Sequence, residues 1–523
     1  MRFTNKFPSH LPEAILGAHL KSAIRNYALL FFGCLLFNVA GTWSLPLIDR
    51  DEPRFAEASR EMIERGDYVV PYFNNQVRLD KPPLTYWLQT ASYRLFGEND
   101  FASRFPSAVA AALVALSIFG WGSRLRPPQR PSASEARIGG TKTGWWAAII
   151  FTLSLQIFLH AKAAVADMWL VLFVTTAHWS GYELLHEPLD HRSPASARPA
   201  VTPYPQTRWW WVFYCSLAFA FLAKGPIGWT PLLTVGSTMF FVRETQFTRR
   251  FKFARGVLLT VAIVAIWGVP ALIETHGEFF TIGIGRHVVG RSLVTMEGHG
   301  PDSFGMYLLF LPFYFVTIFI SFFPWSIKLP WLIRKLWPTH DDIDHYLIAG
   351  LAVIFIIFSL IKTKLPHYTL PALPLLALLL AQRLATENSM RFFKNCAVGS
   401  ALAYFAIALV VPPLVARFFP SYELFRQSRE YLRADMEFGA VSFTEPGLVW
   451  YFRSRVHGFL TPLNSRRAPD FMAQAGPRFV IVPTSLATKL FPNHAEDRKM
   501  FSTHGFNIAK GEHVELTLVL KPD

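Results

Sequence analysis

The sequence predicts an α-helical polytopic membrane protein that carries a small α/β domain at its C-terminal end. Three observations predict it. Of 523 residues, 52% are hydrophobic and only 17% charged, where a soluble chain carries about 25% charged residues. Apolar runs recur along the first 420 positions, at lengths of about 17–22 residues that suit a hydrocarbon core of about 30 Å. After residue 420 the long runs cease and short β-rich stretches take over.

The runs define eleven expected spans, at about 27–47, 104–123, 144–161, 165–185, 209–223, 226–242, 256–273, 304–323, 346–361, 366–385 and 395–415. The segment 324–337 (PWSIKLPWLIRKLW) and the short runs around 209–242 widen the expected number to about 11–13. Arg2, Lys6, Lys21 and Arg25 precede the first run. That run has no small-residue cleavage site and continues into an acidic loop, so it reads as a retained helix rather than a signal peptide. Cys34, Cys215 and Cys396 all fall in apolar runs, which argues against a disulfide framework.

The net charge of +15 does not indicate a nucleic-acid partner, because the basic residues sit in short loops where they set topology. Segments 123–142 and 243–255 each carry five Lys/Arg against one Glu, and Lys328, Arg334, Lys335, Arg383, Arg391 and Lys394 mark two further basic loops. With the N-terminus inside, all four lie on the cytoplasmic side. The same parity puts 48–103, 162–165, Lys224-Gly225, 274–303, 362–366 and the region after 420 on the outer face, together with nearly every unusual polar residue. The Pro-, Ser- and Arg-rich segments 128–142 and 186–207 read as cytoplasmic linkers.

The first outer loop is dense in charges of both signs. Asp51 is placed to start a helix with Pro53 in its first turn and Gly66 at its end. Phe55, Ser59, Met62 and Ile63 share one face of that helix, while Glu57, Arg60, Glu61 and Glu64 point away. A second helix follows Lys81-Pro82-Pro83, with Leu84, Trp87, Leu88, Ala91 and Leu95 on one face and Gly97 as its stop. Both read as interfacial amphipathic helices that hold Asp51, Glu52, Asp80 and Lys81 near the lipid headgroups. In isolation Asp51-Glu52 suits a helix start and Asp80-Lys81 a local ion pair.

Their company is more specific. RDEPRFAE (50–57), GDYVVP (66–71) and DKPPLTYW (80–87), with AVADMWL around Asp167, LAKGP around Lys224, GRHVVGRS around His287 and KTKLPHYTLPALPLL around Tyr368, resemble the bacterial ArnT-like glycosyltransferases. These belong with the dolichyl-phosphate-mannose protein mannosyltransferases and have the GT-C fold. The resemblance covers roughly residues 30–385. It implies transfer of a sugar from an undecaprenyl-phosphate carrier to an acceptor at the outer face of the inner membrane. The sugar it implies is 4-amino-4-deoxy-L-arabinose and the acceptor lipid A, with transfer to protein Ser/Thr or another envelope glycan as the alternative. Membrane lipid is the only other partner expected.

Such a reaction needs a carboxylate for the acceptor or donor sugar and cations for the leaving phosphate. Asp51 matches the family's key acid, with Glu52 beside it and Asp167 at the outer end of a span, where a carboxylate is costly and usually functional. Arg54, Lys81, Lys224, Arg291, Lys362 and Lys364 are the candidate phosphate ligands. Arg54 lies one helical turn from Asp51, so the two can face one pocket. Lys362 and Lys364 equally suit interfacial snorkelling. Tyr368 follows Lys364 by four residues and shares its face on a helix. The resemblance implies that Tyr368 contacts the donor phosphate, and that a structural zinc joins His287 to Asp80, where the family commonly has Glu. His299 is a second candidate ligand. A lipid-linked-sugar transporter fits less well, since transporters place their charged sites near the midplane.

For residues 421–523, GAVSF, LVWYF, RFVIVP and HVELTLVL are expected strands of a small outer domain. Its position suggests that it covers the site or helps recognise the acceptor.

Overall fold

The computed structural model describes residues 13–125, 133–186, 207–242, 250–290, 303–337, 341–385, 390–492 and 498–522. Every expected apolar run overlaps a described helix, although the first run, expected to reach 47, leaves its helix at Val39. The first nine helices are α1 (Glu13–Val39), α2 (Asp51–Arg65), α3 (Leu84–Phe96), α4 (Asp100–Arg124), α5 (Ala133–Thr152), α6 (Leu155–His160), α7 (Asp167–His186), α8 (Thr207–Lys224) and α9 (Thr230–Val242). Helices Phe253–Glu274, Asp342–Leu360, Leu373–Ala385 and Arg391–Val415 follow, with a bent pair at Phe304–Phe310 and Phe313–Ser321.

Five described helices are long and apolar enough to cross a membrane unaided, and the bent pair makes a sixth. The remaining expected spans are shorter or more polar, and some of them pack largely against protein. Leu373–Ala385 is the extreme case: Leu373 to Leu384 are all buried, which lets Gln382 and Arg383 sit within it. The helices Phe253–Glu274 and Arg391–Val415 instead expose Leu258, Ile266, Ile273, Leu402, Val410 and Leu414, as lipid-facing surfaces do.

α2 and α3 form as the sequence predicts, each ended by a glycine: Gly66 takes the left-handed conformation with φ of 68°, and Gly97 accepts positive φ as well. α3 leaves Leu95 and Phe96 exposed, consistent with an interfacial face. α2 departs from expectation. Its apolar face packs on α3, with Phe55 stacked on Tyr86 at 5.3 Å and the Ser59 hydroxyl donating to Gln89 Oε1 at 2.7 Å. Its polar face is buried too, because Glu57, Arg60 and Glu61 lie under the C-terminal region.

That region holds a five-stranded mixed sheet of order β4-β3-β5-β7-β6, where β3 is Glu437–Val441, β4 Leu460–Leu463, β5 Arg478–Pro483, β6 Lys499–Asn507 and β7 Glu512–Lys521; β1 (Tyr72–Phe73) and β2 (Gln76–Val77) form a small hairpin in the first loop. β3 runs parallel to both β4 and β5, and β7 antiparallel to β5 and β6. Three of the four expected strands are present. LVWYF is instead part of the helix Pro446–Arg453. Pro446 opens that helix, and a continuous apolar run buried on all sides carries no period by which strand and helix can be told apart.

The same helix locks the domain to α2. Arg453 reaches Glu57 and Glu64, Arg60 donates to the Trp450 carbonyl at 2.9 Å and its guanidinium lies 3.9 Å over the Trp450 ring. Trp450 Nε1 and the Tyr451 hydroxyl donate to Asp100 at 2.8 and 3.0 Å.

Candidate active site

A cavity of about 540 Å³ opens where the first loop, the start of α7, the end of α8, the segment 365–368 and the C-terminal domain converge. Asp51, Arg54, Asp80, Lys81, Asp167, Lys224 and Tyr368 line it. Seven of the residues singled out in the sequence thus meet in one place, from positions spread over more than three hundred residues.

Each is placed by simple local chemistry. Asp51 is the first residue of α2, so its carboxylate sits at the positive end of that helix. It is exposed to the cavity and accepts no hydrogen bond from the described residues. Arg54, one turn on, is half-buried; burial, with Arg78 beside it, pulls its guanidinium below the usual range. Lys81 precedes Pro82-Pro83, which fix the start of α3; its ammonium lies 3.3 Å from the Asp80 carbonyl and 3.7 Å from the Asp80 carboxylate. Lys224 ends α8 because Gly225, at φ of 81°, turns the chain away before Pro226. Its ammonium donates to Asp167 Oδ1 at 2.5 Å and lies 5.8 Å from the centre of the Tyr368 ring. Asp167, the first residue of α7, is buried.

Three expected residues stand apart from the cavity or are engaged elsewhere. Glu52 is 4% exposed and its carboxylate is fully occupied. It accepts from Arg104 Nε and Nη2 at 3.0 and 2.6 Å, from the Ile48 N–H at 2.7 Å and from the Ala164 N–H at 2.6 Å. It joins α2, α4 and the α6–α7 turn. The Lys364 ammonium donates to the carbonyls of Phe358 and Ser359 at 3.0 and 2.5 Å, closing the end of helix Asp342–Leu360. Burial lowers it to about 8. Lys364 and Tyr368 do not share a helix face, because Pro366 starts a new 3-10 helix, Pro366–Ala372. Lys362 is exposed and lines no described cavity. Arg291 and His299 lie outside the described residues.

Of the two expected zinc ligands, only the Asp80 side chain falls among the described residues. His287 belongs to the π-helical segment Phe279–Gly290, but its side chain lies outside the described residues. That segment does pack on the first loop: a Cβ on Gly283 would meet the Leu79 carbonyl oxygen at 2.7 Å. Asp80, however, faces Arg78 Nε at 3.0 Å as well as Lys81. Among the described residues no group of three His, Cys, Asp or Glu side chains could hold a metal. The Asp80 carboxylate is thus engaged by Arg78 and Lys81 among the described residues.

The cavity also holds Asp49, Arg50, Arg78 and His367, which the sequence reading passed over. Arg78 donates to the Tyr86 hydroxyl at 2.9 Å. His367 sits 5.3 Å, ring to ring, from His160. Only its place in the LPHYTLP run, next to Tyr368, signalled it.

Two mainly apolar cavities adjoin. One, about 550 Å³, shares Asp80, Lys81, Asp167, Lys224, His367 and Tyr368 and continues between Leu170, Leu232, Leu233, Ile357, Phe358 and Ile361. The other, about 490 Å³, shares Asp49, Arg50 and Asp51 and runs past Phe158, Ile407 and Val411.

The site is an apolar furrow that ends in cations and carboxylates on a helical scaffold with membrane-spanning helices. Comparison with known proteins is more particular. The model of the dolichyl-phosphate-mannose-protein mannosyltransferase family matches residues 80–191. The undecaprenyl phosphate-alpha-4-amino-4-deoxy-L-arabinose arabinosyl transferase of Aeromonas hydrophila is 27% identical over 76% of this chain and 66% of its own length. The corresponding transferase of Edwardsiella ictaluri is 26% identical over 65% of this chain and 56% of its own, so the chain spans less than two thirds of either relative. The crystal structure of ArnT from Cupriavidus metallidurans bound to undecaprenyl phosphate superposes with a TM-score of 0.70, covering 95% of this chain and 98% of that one at 17% identity. The fold is therefore the ArnT-like GT-C architecture that the motifs resemble.

Proposed function

We propose that this chain is an integral-membrane glycosyltransferase of the bacterial inner membrane. It moves 4-amino-4-deoxy-L-arabinose from an undecaprenyl-phosphate carrier to lipid A at the periplasmic face. The observation that carries the reading is the meeting of Asp51, Lys81, the Asp167–Lys224 pair and Tyr368 in one charged cavity that runs on into an apolar one. A polyprenyl phosphate needs a dry surface for its chain and cations where that surface ends. The names and fold of the relatives support the same reading, and so does the loop parity, by which the loops that line this cavity are outer loops and Asp167 and Tyr368 lie at the outer ends of their spans.

In the transfer, the bond between the anomeric carbon and the carrier phosphate breaks and its electron pair stays with the phosphate. Lys81 and Lys224 meet that growing charge, and a preorganised cation in a partly dry site stabilises it strongly. Asp167 holds the Lys224 ammonium in place, and Tyr368 is placed to donate its hydroxyl to the phosphate. The acceptor oxygen forms the new bond. Where that oxygen belongs to a phosphate it is already ionised, and Asp51 orients the donor sugar through its amino group; where it belongs to a hydroxyl, Asp51 takes the proton.

Mass spectrometry of lipid A and of periplasmic proteins, from cells with and without the protein, tests the reading. Aminoarabinose on lipid A only in cells that make the protein is the expected result. Unchanged lipid A with altered protein glycans overturns the acceptor assignment.

A further inference from the structure

The C-terminal domain touches the charged cavity at one place. Ile508 and Ala509, in the turn between β6 and β7, line it beside Asp49, Arg50 and Asp51. Neither apolar cavity has a wall from this domain. The turn is not a loose loop. Asn507, 2% exposed, accepts at its side-chain oxygen from the Ala509 and Lys510 N–H groups at 3.0 and 3.3 Å. Its amide nitrogen donates to Glu445 Oε1 at 3.1 Å. Glu445 is itself buried and directly precedes the helix Pro446–Arg453, whose Gly447 N–H donates to Asp49 Oδ1 at 2.7 Å. A continuous set of contacts thus runs from the β6–β7 turn to the residue two positions before Asp51. Ile508 meanwhile stays 45% exposed at the cavity wall and belongs to neither apolar core of the sheet.

We propose that the β6–β7 turn is the acceptor-selecting wall of the active site, with Ile508 as its specificity-determining residue and Asn507 as the residue that positions it. This rests on the transferase reading above. The turn lines the same charged cavity as Asp51, Lys81, Lys224 and Tyr368, is tied to its Asp49 end by the contacts above, and adds no wall to the apolar furrow. A change at Ile508 therefore leaves the furrow for the carrier chain intact and acts at the charged end of the site, where the acceptor headgroup must enter. The side chain is aliphatic and offers no hydrogen bond, so it discriminates by bulk: it limits how large an acceptor headgroup comes within reach of the donor sugar.

The test compares the full-length wild type, Ile508→Trp and Ile508→Ala in lipid nanodiscs. Two quantities are read: the affinity for undecaprenyl phosphate, and the KM for lipid A at saturating carrier-linked sugar. Ile508→Trp should raise the acceptor KM at least tenfold, with carrier affinity held within twofold. Ile508→Ala should lower the preference for lipid A over a bulkier, core-extended acceptor. Asn507→Ala, if folded, should raise the acceptor KM without changing kcat, and Asn507→Ser should recover part of the loss. Wild-type transfer with an unchanged acceptor KM in Ile508→Trp, or a carrier affinity that falls in step with the KM, overturns this inference alone. A folded wild type that neither binds undecaprenyl phosphate nor transfers sugar overturns the transferase reading, and this inference with it.

Discussion

Two adjacent carboxylates open α2 and meet opposite surroundings. Glu52 is buried and receives two N–H bonds from Arg104 and two from the backbone. Asp51 is exposed to the cavity and receives none from the described residues. The same division runs through the whole loop. Glu57, Arg60 and Arg453 satisfy one another beneath the C-terminal domain, while Asp51, Arg54 and Lys81 turn to the cavity. A charge whose hydrogen bonds are filled by protein has little left to offer a substrate. Most of the loop's charge density is therefore mortar between three elements, and the chemistry falls to the remainder.

The sharpest way to break this division is to remove one charge from each side. Asp51→Asn and Lys81→Ala should each lower transfer by on the order of 10²–10⁴-fold, as expected for losing a positioned acid–base or charge-stabilising group. Thermal unfolding in detergent should move little, since substitutions away from buried networks usually cost within about 0.5 kcal/mol. Near-normal transfer in both variants would refute the site. Arg104→Met should do the reverse. Leaving Glu52 buried without its guanidinium is expected to cost about 3–5 kcal/mol, seen as a large drop in unfolding temperature. If Glu52→Gln instead abolished transfer with no loss of stability, Glu52 would have to be a catalytic acid.

How much of this division was legible in the sequence follows from the range of the interactions involved. Helix starts and stops, the glycine ends of α2 and α3 and the apolar runs are local, and they read correctly. Asp51, Lys81, Lys224 and Tyr368, which line one cavity, stand out in the sequence because they lie in motifs. The partner that decides a charge's fate is not local: Arg104 lies 52 residues from Glu52 and Arg453 lies 396 from Glu57. Amphipathicity gave α2 a solvated polar face, because periodicity cannot reveal that a distant helix carries the matching cations. Arg78 and His367 were passed over for a related reason, since each stood beside a motif residue that already had a role.

Asp49 sits on the border between the two populations, as it lines the cavity and also holds the C-terminal domain through Gly447. Burial pushes its carboxyl up from 3.8 to about 7, against the pull of the Gly447 N–H. As pH rises the unfolded chain releases this proton first, so between roughly pH 4 and 7 the folded state binds more protons and stability falls. The unfolding temperature of the wild type should therefore decline across that window. Asp49→Asn can still accept from Gly447 but does not titrate, and its decline should be shallower. Parallel pH profiles would remove Asp49 from the coupling between the domains.

Lys362 should give the smallest effect and the strictest control. It stands in the same KTKLPHY run as Tyr368, so a reading by motif makes it a phosphate ligand equal to Lys81. It is exposed and lines none of the described cavities, so a reading by geometry makes it an interfacial cation whose charge is screened by solvent. Lys362→Ala is expected to change both transfer and undecaprenyl phosphate affinity by less than twofold. A loss approaching that of Lys81→Ala would mean that the 362–366 segment moves toward the carrier phosphate when substrate binds. The line between structural and catalytic charges would then be drawn by the bound state rather than by the geometry of the free protein.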